Sequence, residues 1–138
     1  MKRILIPTDF SACASYAVSA GVGLAKRFNA KVILLHNTNL PLSWENFSVK
    51  EREEHPEFYQ SWKNTGVLLK DIEDKYFDIE IESIISEGSL IQNVKQIANK
   101  HQVDLIVMGS QGAGKTDPNF FGSNTQKVVR QVQNPVLI

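Results

Sequence analysis

The residues best suited to chemistry lie near the end of the chain. Gly109-Ser110-Gln111-Gly112 is followed, after nine residues, by Gly122-Ser123. The run leaves an apolar stretch, residues 103–108, that reads as a buried parallel strand. Glycine carries no Cβ, so main-chain N–H groups there can approach an anion closely. A helix opening at the later Gly-Ser step adds unpaired amides and the positive end of its dipole. The pattern therefore suits the cradling of phosphate and makes nucleotide binding the leading expectation. Ser123 and Gln126 also have capping-box spacing, so Ser123 is expected to cap that last helix, a role compatible with anion binding.

A competing motif overlaps this one. Gly109 to Thr116 matches the GxxxxGK[ST] pattern of phosphate-binding loops in nucleoside triphosphatases. That motif needs a helix starting at its Lys-Thr step, yet Pro118 and Asn119 follow at once. Too little chain remains for the later strands that carry a magnesium-binding Asp in those enzymes. The wider Gly-x-x-Gly, nine residues, Gly-Ser frame is the better reading.

Other reactive residue types are sparse. Cys13 is the single cysteine, which rules out an intrachain disulfide, points to a reducing cytoplasm and suits packing among alanines. His36 sits on an apolar strand and reads as a hydrogen-bonded core residue, while His55 and His101 stand alone, without metal-ligand spacing. No general base is evident for a γ-phosphate. Fifteen basic and fifteen acidic residues cancel, which argues against a broad footprint for nucleic acid or an anionic membrane. The short apolar run after Lys2-Arg3, ended by Pro7 and Asp9, reads as neither a signal peptide nor a membrane span.

The elements that must position the glycine run follow from periodicity. Ile4-Leu5-Ile6 reads as a strand ending at Pro7, and Ser11 as the cap of a helix whose stripe is Ala14, Ala17, Gly21, Leu24 and Phe28. Residues 31–36 form a second strand. Residues 39–56 read as an irregular, partly helical connection, before a helical stripe of Phe58, Trp62, Leu69, Ile72 and Tyr76. A third strand, Ile79 to Ile85, alternates with Glu80 and Glu82 as an edge strand would. Ser89 caps the next helix, the fourth strand spans 103–108, and Pro135 to Ile138 begins a fifth. Strands alternating with helices imply an α/β fold, an open five-stranded parallel sheet with helices on both faces. Ligands of such sheets bind beyond the carboxyl ends of the strands, where strand order reverses. Adjacent first and fourth strands would gather Pro7-Thr8-Asp9, His36-Asn37 and the Gly109 loop in one crevice.

Pro7-Thr8-Asp9-Phe10-Ser11, Met108-Gly109-Ser110-x-Gly112, Gly122-Ser123 and the terminal Asn134-Pro135-Val136-Leu137-Ile138 together resemble the universal stress protein family across essentially the whole chain. The resemblance implies a Rossmann-like fold of the adenine nucleotide alpha hydrolase type, strand order 3-2-1-4-5, in one domain, residues 1–138, with the N-terminal half of a tandem two-domain protein as a further expectation. In that family's ATP-binding branch, Gly109, Gly112, Gly122 and Ser123 would hold ribose and phosphates beside the Asn124 amide. Pro7, Thr8 and Asp9 would line adenine, the Asn37 backbone would contact it, and Met108 and Ser110 would flank the sugar. Mg²⁺ or Mn²⁺ would bridge phosphate oxygens. The implied function is a cytoplasmic ATP-binding stress-response switch, paired as a homodimer or tandem pseudo-dimer through the last strand. The alternatives are a dimeric interaction module without nucleotide and a slow ATPase.

Overall fold

The computed structural model describes residues 1–38, 46–110 and 122–138. Its elements in chain order are β1 (Arg3–Pro7), α1 (Ala12–Phe28), β2 (Lys31–Thr38), α2 (Val49–Glu54), α3 (Pro56–Lys75), β3 (Ile81–Glu87), α4 (Leu90–Lys100), β4 (Leu105–Val107), α5 (Ser123–Gln131) and β5 (Val136–Leu137). The strands form one parallel sheet in the order β3-β2-β1-β4-β5, as the resemblance implied. β1 therefore lies between β2 and β4, and the reversal of strand order falls at its carboxyl end.

Strand alternation divides the core into two layers. Ile4, Ile6, Val32, Leu34 and Val107 pack toward Val18, Val22 and Ala25 of α1 and Leu69 of α3. Leu5, Ile33, Leu35, Ile106 and Met108 pack toward Val94, Ile97 and Ala98 of α4 and Val128 of α5. Both sheet faces are covered, which is why these strands read as unbroken apolar runs. Ser11 caps α1 by accepting from the Ala14 amide at 3.1 Å, and Asn29 closes that helix in the left-handed region at φ 53°. Gly21 lets α1 lie close on the sheet: a Cβ there would collide with the Ile6 side chain.

The structure departs from the periodicity reading in α1 and α3, and it places the helical part of the connection between them. Phe28 is 48% exposed, because the buried stripe of α1 turns through Val18, Val22 and Ala25 instead. The connection before α3 contains α2, whose start carries a full capping box between Ser48 and Glu51. α3 buries only Thr65 and Leu69, near its middle, so Trp62 lies 39% exposed off the edge of the core. Residues 39–45, Trp44 among them, lie outside the described residues.

Ion pairs and amide bonds trim the opposite, amino end of the sheet. Lys31 bonds Glu82 at 2.7 Å, which raises the lysine and lowers the carboxyl. Asp104 accepts from the Lys2 amide at 2.7 Å and the Arg3 amide at 3.0 Å, and these bonds hold its carboxyl below the ordinary range.

Two expectations follow for stability. Gly21→Val should cost about 1–3 kcal/mol through overpacking against Ile6. Gly23→Ala, with open space at its Cβ, should gain about 0.5–1 kcal/mol of helix stability. Urea unfolding of the two variants reads the contrast, and equal midpoints would contradict it. The lowered Asp104 pKa contributes stability that is fully present above the unfolded carboxylate value of about 4 and disappears as pH falls through the folded one. Asp104→Asn should therefore melt below the parent at pH 7, with the gap closing as the pH drops under about 4. A gap that widens in acid would contradict this.

Candidate functional site

The carboxyl ends of β1, β2 and β4 open onto one crevice, and two helices begin beside it. The exit of β1 is a tight turn. Thr8 is 6% exposed; its amide donates to the Leu35 carbonyl at 2.8 Å and its hydroxyl accepts from the Phe10 amide at 3.1 Å. Asp9 is exposed and accepts from the Ser11 amide at 3.0 Å, an Asx turn that leads into α1. Phe10 takes φ 64°, an uncommon conformation for an aromatic residue, and its ring rests 4.6 Å from that of His36. The His36 Nδ1 lies 2.9 Å from the Thr8 carbonyl, so His36 is the hydrogen-bonded residue the sequence suggested and it braces the turn.

The exit of β4 is held from three sides. Met108 is buried among the α4 and α5 side chains, and its amide donates to the Leu137 carbonyl at 3.0 Å. A Cβ on Gly109 would lie 3.0 Å from the carbonyl carbon, carbonyl oxygen and Sγ of Cys13, so the first turn of α1 packs on this glycine. The Gly109 carbonyl accepts from the hydroxyl of Thr125, a residue only 3% exposed, at 2.9 Å. Ser110 places its hydroxyl 3.6 Å from the Cys13 Sγ, and its carbonyl accepts from the Gly122 amide at 2.7 Å. That last bond joins the two halves of the glycine frame. Gly112 and the Lys115-Thr116 step lie outside the described residues.

α5 corrects one expectation. The cap is Gly122, at φ −63° and ψ 156°, and Ser123 is the first helical residue. A glycine cap supplies no side-chain acceptor, so the first-turn amides of Ser123, Asn124 and Thr125 lack a side-chain cap. Ser123 and Asn124 are both exposed. An uncapped helix start of this kind suits a bound anion better than the capping box would.

Asn37, two residues past the last β1–β2 pair, is half-buried and its side chain is engaged. Its Oδ1 accepts from the Ser86 hydroxyl at 2.9 Å and the Asn93 amide at 2.7 Å, while its Nδ2 donates to the Gly88 carbonyl at 2.7 Å. Its main chain is placed differently. Odd residues of β2 turn toward β1: Lys31 donates to the Lys2 carbonyl and Leu35 accepts from Thr8. Val32 donates to Glu80 on the other side. Asn37 continues the odd set beyond Pro7↔Leu35, so its N–H and C=O point into the crevice.

The structure thus brings Pro7, Thr8, Asp9, Asn37, Gly109, Ser110, Gly122, Ser123 and Asn124 to the same end of the sheet, with Met108 turned into the core. Thr125 and Cys13 were missed as parts of the site: Thr125 read only as a letter of the capping box, Cys13 as generic packing. Among the described residues no three His, Cys, Asp or Glu side chains are placed to hold a metal ion. Two surface grooves, of about 1110 and 710 Å³, lie near the amino ends of the strands, away from this crevice.

Known proteins share this design. The universal stress protein family model matches residues 1–138. Universal stress protein MJ0577 of Methanocaldococcus jannaschii is 30% identical over 99% of this chain and 93% of its own, and the solved structure of MJ0577 superposes with a TM-score of 0.73. A universal stress protein solved in complex with cAMP (21% identical, 99% of this chain and 94% of that one) and one from Archaeoglobus fulgidus solved with dAMP (17%, 99% and 96%) both reach a TM-score of 0.70 and share the fold. Sheet order, glycine frame and full-length family match agree, and the chain belongs to the universal stress protein family.

Proposed function

We propose that this domain binds ATP in the β1/β4 crevice and acts as a nucleotide-dependent switch in a cytoplasmic stress response, not as a committed enzyme. The observation that carries the reading is the uncapped start of α5 beside the Gly109–Ser110 exit. Phosphates would rest on the Ser123 and Asn124 amides, the Ser123 hydroxyl and the Gly109-to-Gly112 main chain. The base would lie between Pro7-Thr8-Asp9 and the Asn37 main chain, which offers one donor and one acceptor. Adenine presents the complementary pair, its amino group and a ring nitrogen. The cAMP and dAMP complexes of two structural neighbours support an adenine nucleotide in this fold. Mg²⁺ or Mn²⁺ would bridge phosphate oxygens, with water completing its shell.

Pairing through β5 is the second part of the proposal. β5 is an edge strand whose outer backbone is unpaired among the described residues, and Leu137 and Ile138 are 42% and 44% exposed. A second copy adding its own β5 would close both edges.

Gly122→Val tests the cradle, because the Gly122 backbone angles are ones any residue adopts and the change places a branched side chain at the start of α5. Titration with labelled ATP should show binding by the parent and a loss of about tenfold or more in the variant. Equal binding by both would remove the proposed cradle. Mass analysis of co-purified nucleotide separates the alternatives: ATP supports the switch, no nucleotide the interaction module, ADP with phosphate release a slow ATPase. Sedimentation should find a dimer in the parent and a monomer when Leu137 and Ile138 become Asp; a strict monomer at high concentration contradicts pairing.

A further inference from the structure

The carboxamide network behind Asn37 is not explained by the sheet. Asn37 Oδ1 accepts two bonds at once, from Ser86 on β3 and Asn93 on α4, and Asn37 Nδ2 donates to Gly88. Asn93 Nδ2 also donates to the Glu87 carbonyl at 2.7 Å. Gly88 takes φ 88°, so the β3–α4 turn between these anchors has a conformation that needs glycine. Three elements, β2, β3 and the first turn of α4, are thereby tied to one side chain. That side chain belongs to the residue whose main-chain donor and acceptor extend beyond β1 into the crevice.

We infer that Asn93 is a positioning residue for base selection: through Asn37 it holds the end of β2 in the one orientation that meets adenine and disfavours guanine. The inference rests on the nucleotide-binding reading and adds to it the source of selectivity. Guanine also presents a donor and an acceptor, but in the reverse order along its edge. A main-chain pair free to shift by a fraction of a bond length would accept either base. Paired with β3 on its far side and tied by three hydrogen bonds on the Asn37 side chain, with a fourth anchoring Asn93 to the Glu87 carbonyl, it accepts one. Neither Asn93 nor Ser86 needs to touch the ligand for this.

The experiment compares ATP, GTP and inorganic tripolyphosphate binding by the full chain and by Asn93→Ala. The parent should prefer ATP. In the variant, the ATP-over-GTP preference should fall by about fivefold to tenfold, the effect of a lost hydrogen bond or two, while tripolyphosphate affinity is unchanged. Ser86→Ala, a milder change that removes one donor, should shift the ratio the same way by less. Asn37→Val combined with Asn93→Ala should be no worse than either alone, since both act through one network. An unaltered ATP-over-GTP ratio in Asn93→Ala and Ser86→Ala overturns the inference while leaving ATP binding intact. A parallel fall for all three ligands also overturns it, since that marks a general loss of structure. A parent that binds no ATP overturns the nucleotide-binding reading itself, and the inference with it.

Discussion

The close approach of α1 to the end of β4 is the contact on which the crevice depends. Gly109 has no side chain, and Cys13 occupies the space where one would be. A Cβ at 109 would crowd the backbone and thiol of Cys13, and so strain the first turn of α1 and the Thr8-to-Ser11 turn that feeds it. The Thr125 hydroxyl fixes the same glycine from the other side by taking its carbonyl. A single backbone position thus carries the starts of both α1 and α5, and their positive ends converge near one point. Glycine serves here first as a packing residue, and the open main chain at the β4 exit is a consequence of that packing.

Strand order turns this local contact into a site. With β1 between β2 and β4, the chain leaving β1 crosses to β2 while β4 arrives from the opposite flank. The strands then end at different heights. β2 runs three residues beyond its last pairing with β1, and β4 stops at Val107. The longer β2 exposes main-chain polarity at Asn37, and the shorter β4 gives room to the Gly109 exit. Unpaired main-chain polarity falls at one end, while ion pairs such as Lys31–Glu82 and the Asp104 amide bonds finish the other.

Much of the fold was legible because its signals are local. Apolar runs at residues 4–6, 31–36 and 103–108 located the central strands, Ser11 and Ser89 marked helix starts, and Glu80 and Glu82 alternating with isoleucines marked an edge. Strand order came from the family resemblance, since parallel pairing leaves no local trace. The site was partly legible. Glycine spacing found Gly109 and Gly122, but a capping-box pattern at Ser123 misassigned the helix start by one residue. The pattern is only statistical, and the Ser110–Gly122 backbone bond decided the geometry. Thr125 and Asn93 could not be found from sequence, because their roles lie in partners sixteen residues or more away: Gly109 for one, Asn37 for the other. The Ser48–Glu51 box was visible in the sequence and would have located the helical part of the 39–56 connection.

The claim that the α5 start and the Asn37 main chain together receive the ligand can be read at single amides. Hydrogen exchange followed by NMR on the protein, with and without saturating ATP, reports each N–H separately. The account predicts that exchange slows at Ser123, Asn124 and Asn37 on adding ATP, while exposed amides of α3 stay as they were. ATP binding that leaves those three amides unchanged, with protection appearing elsewhere, would contradict it.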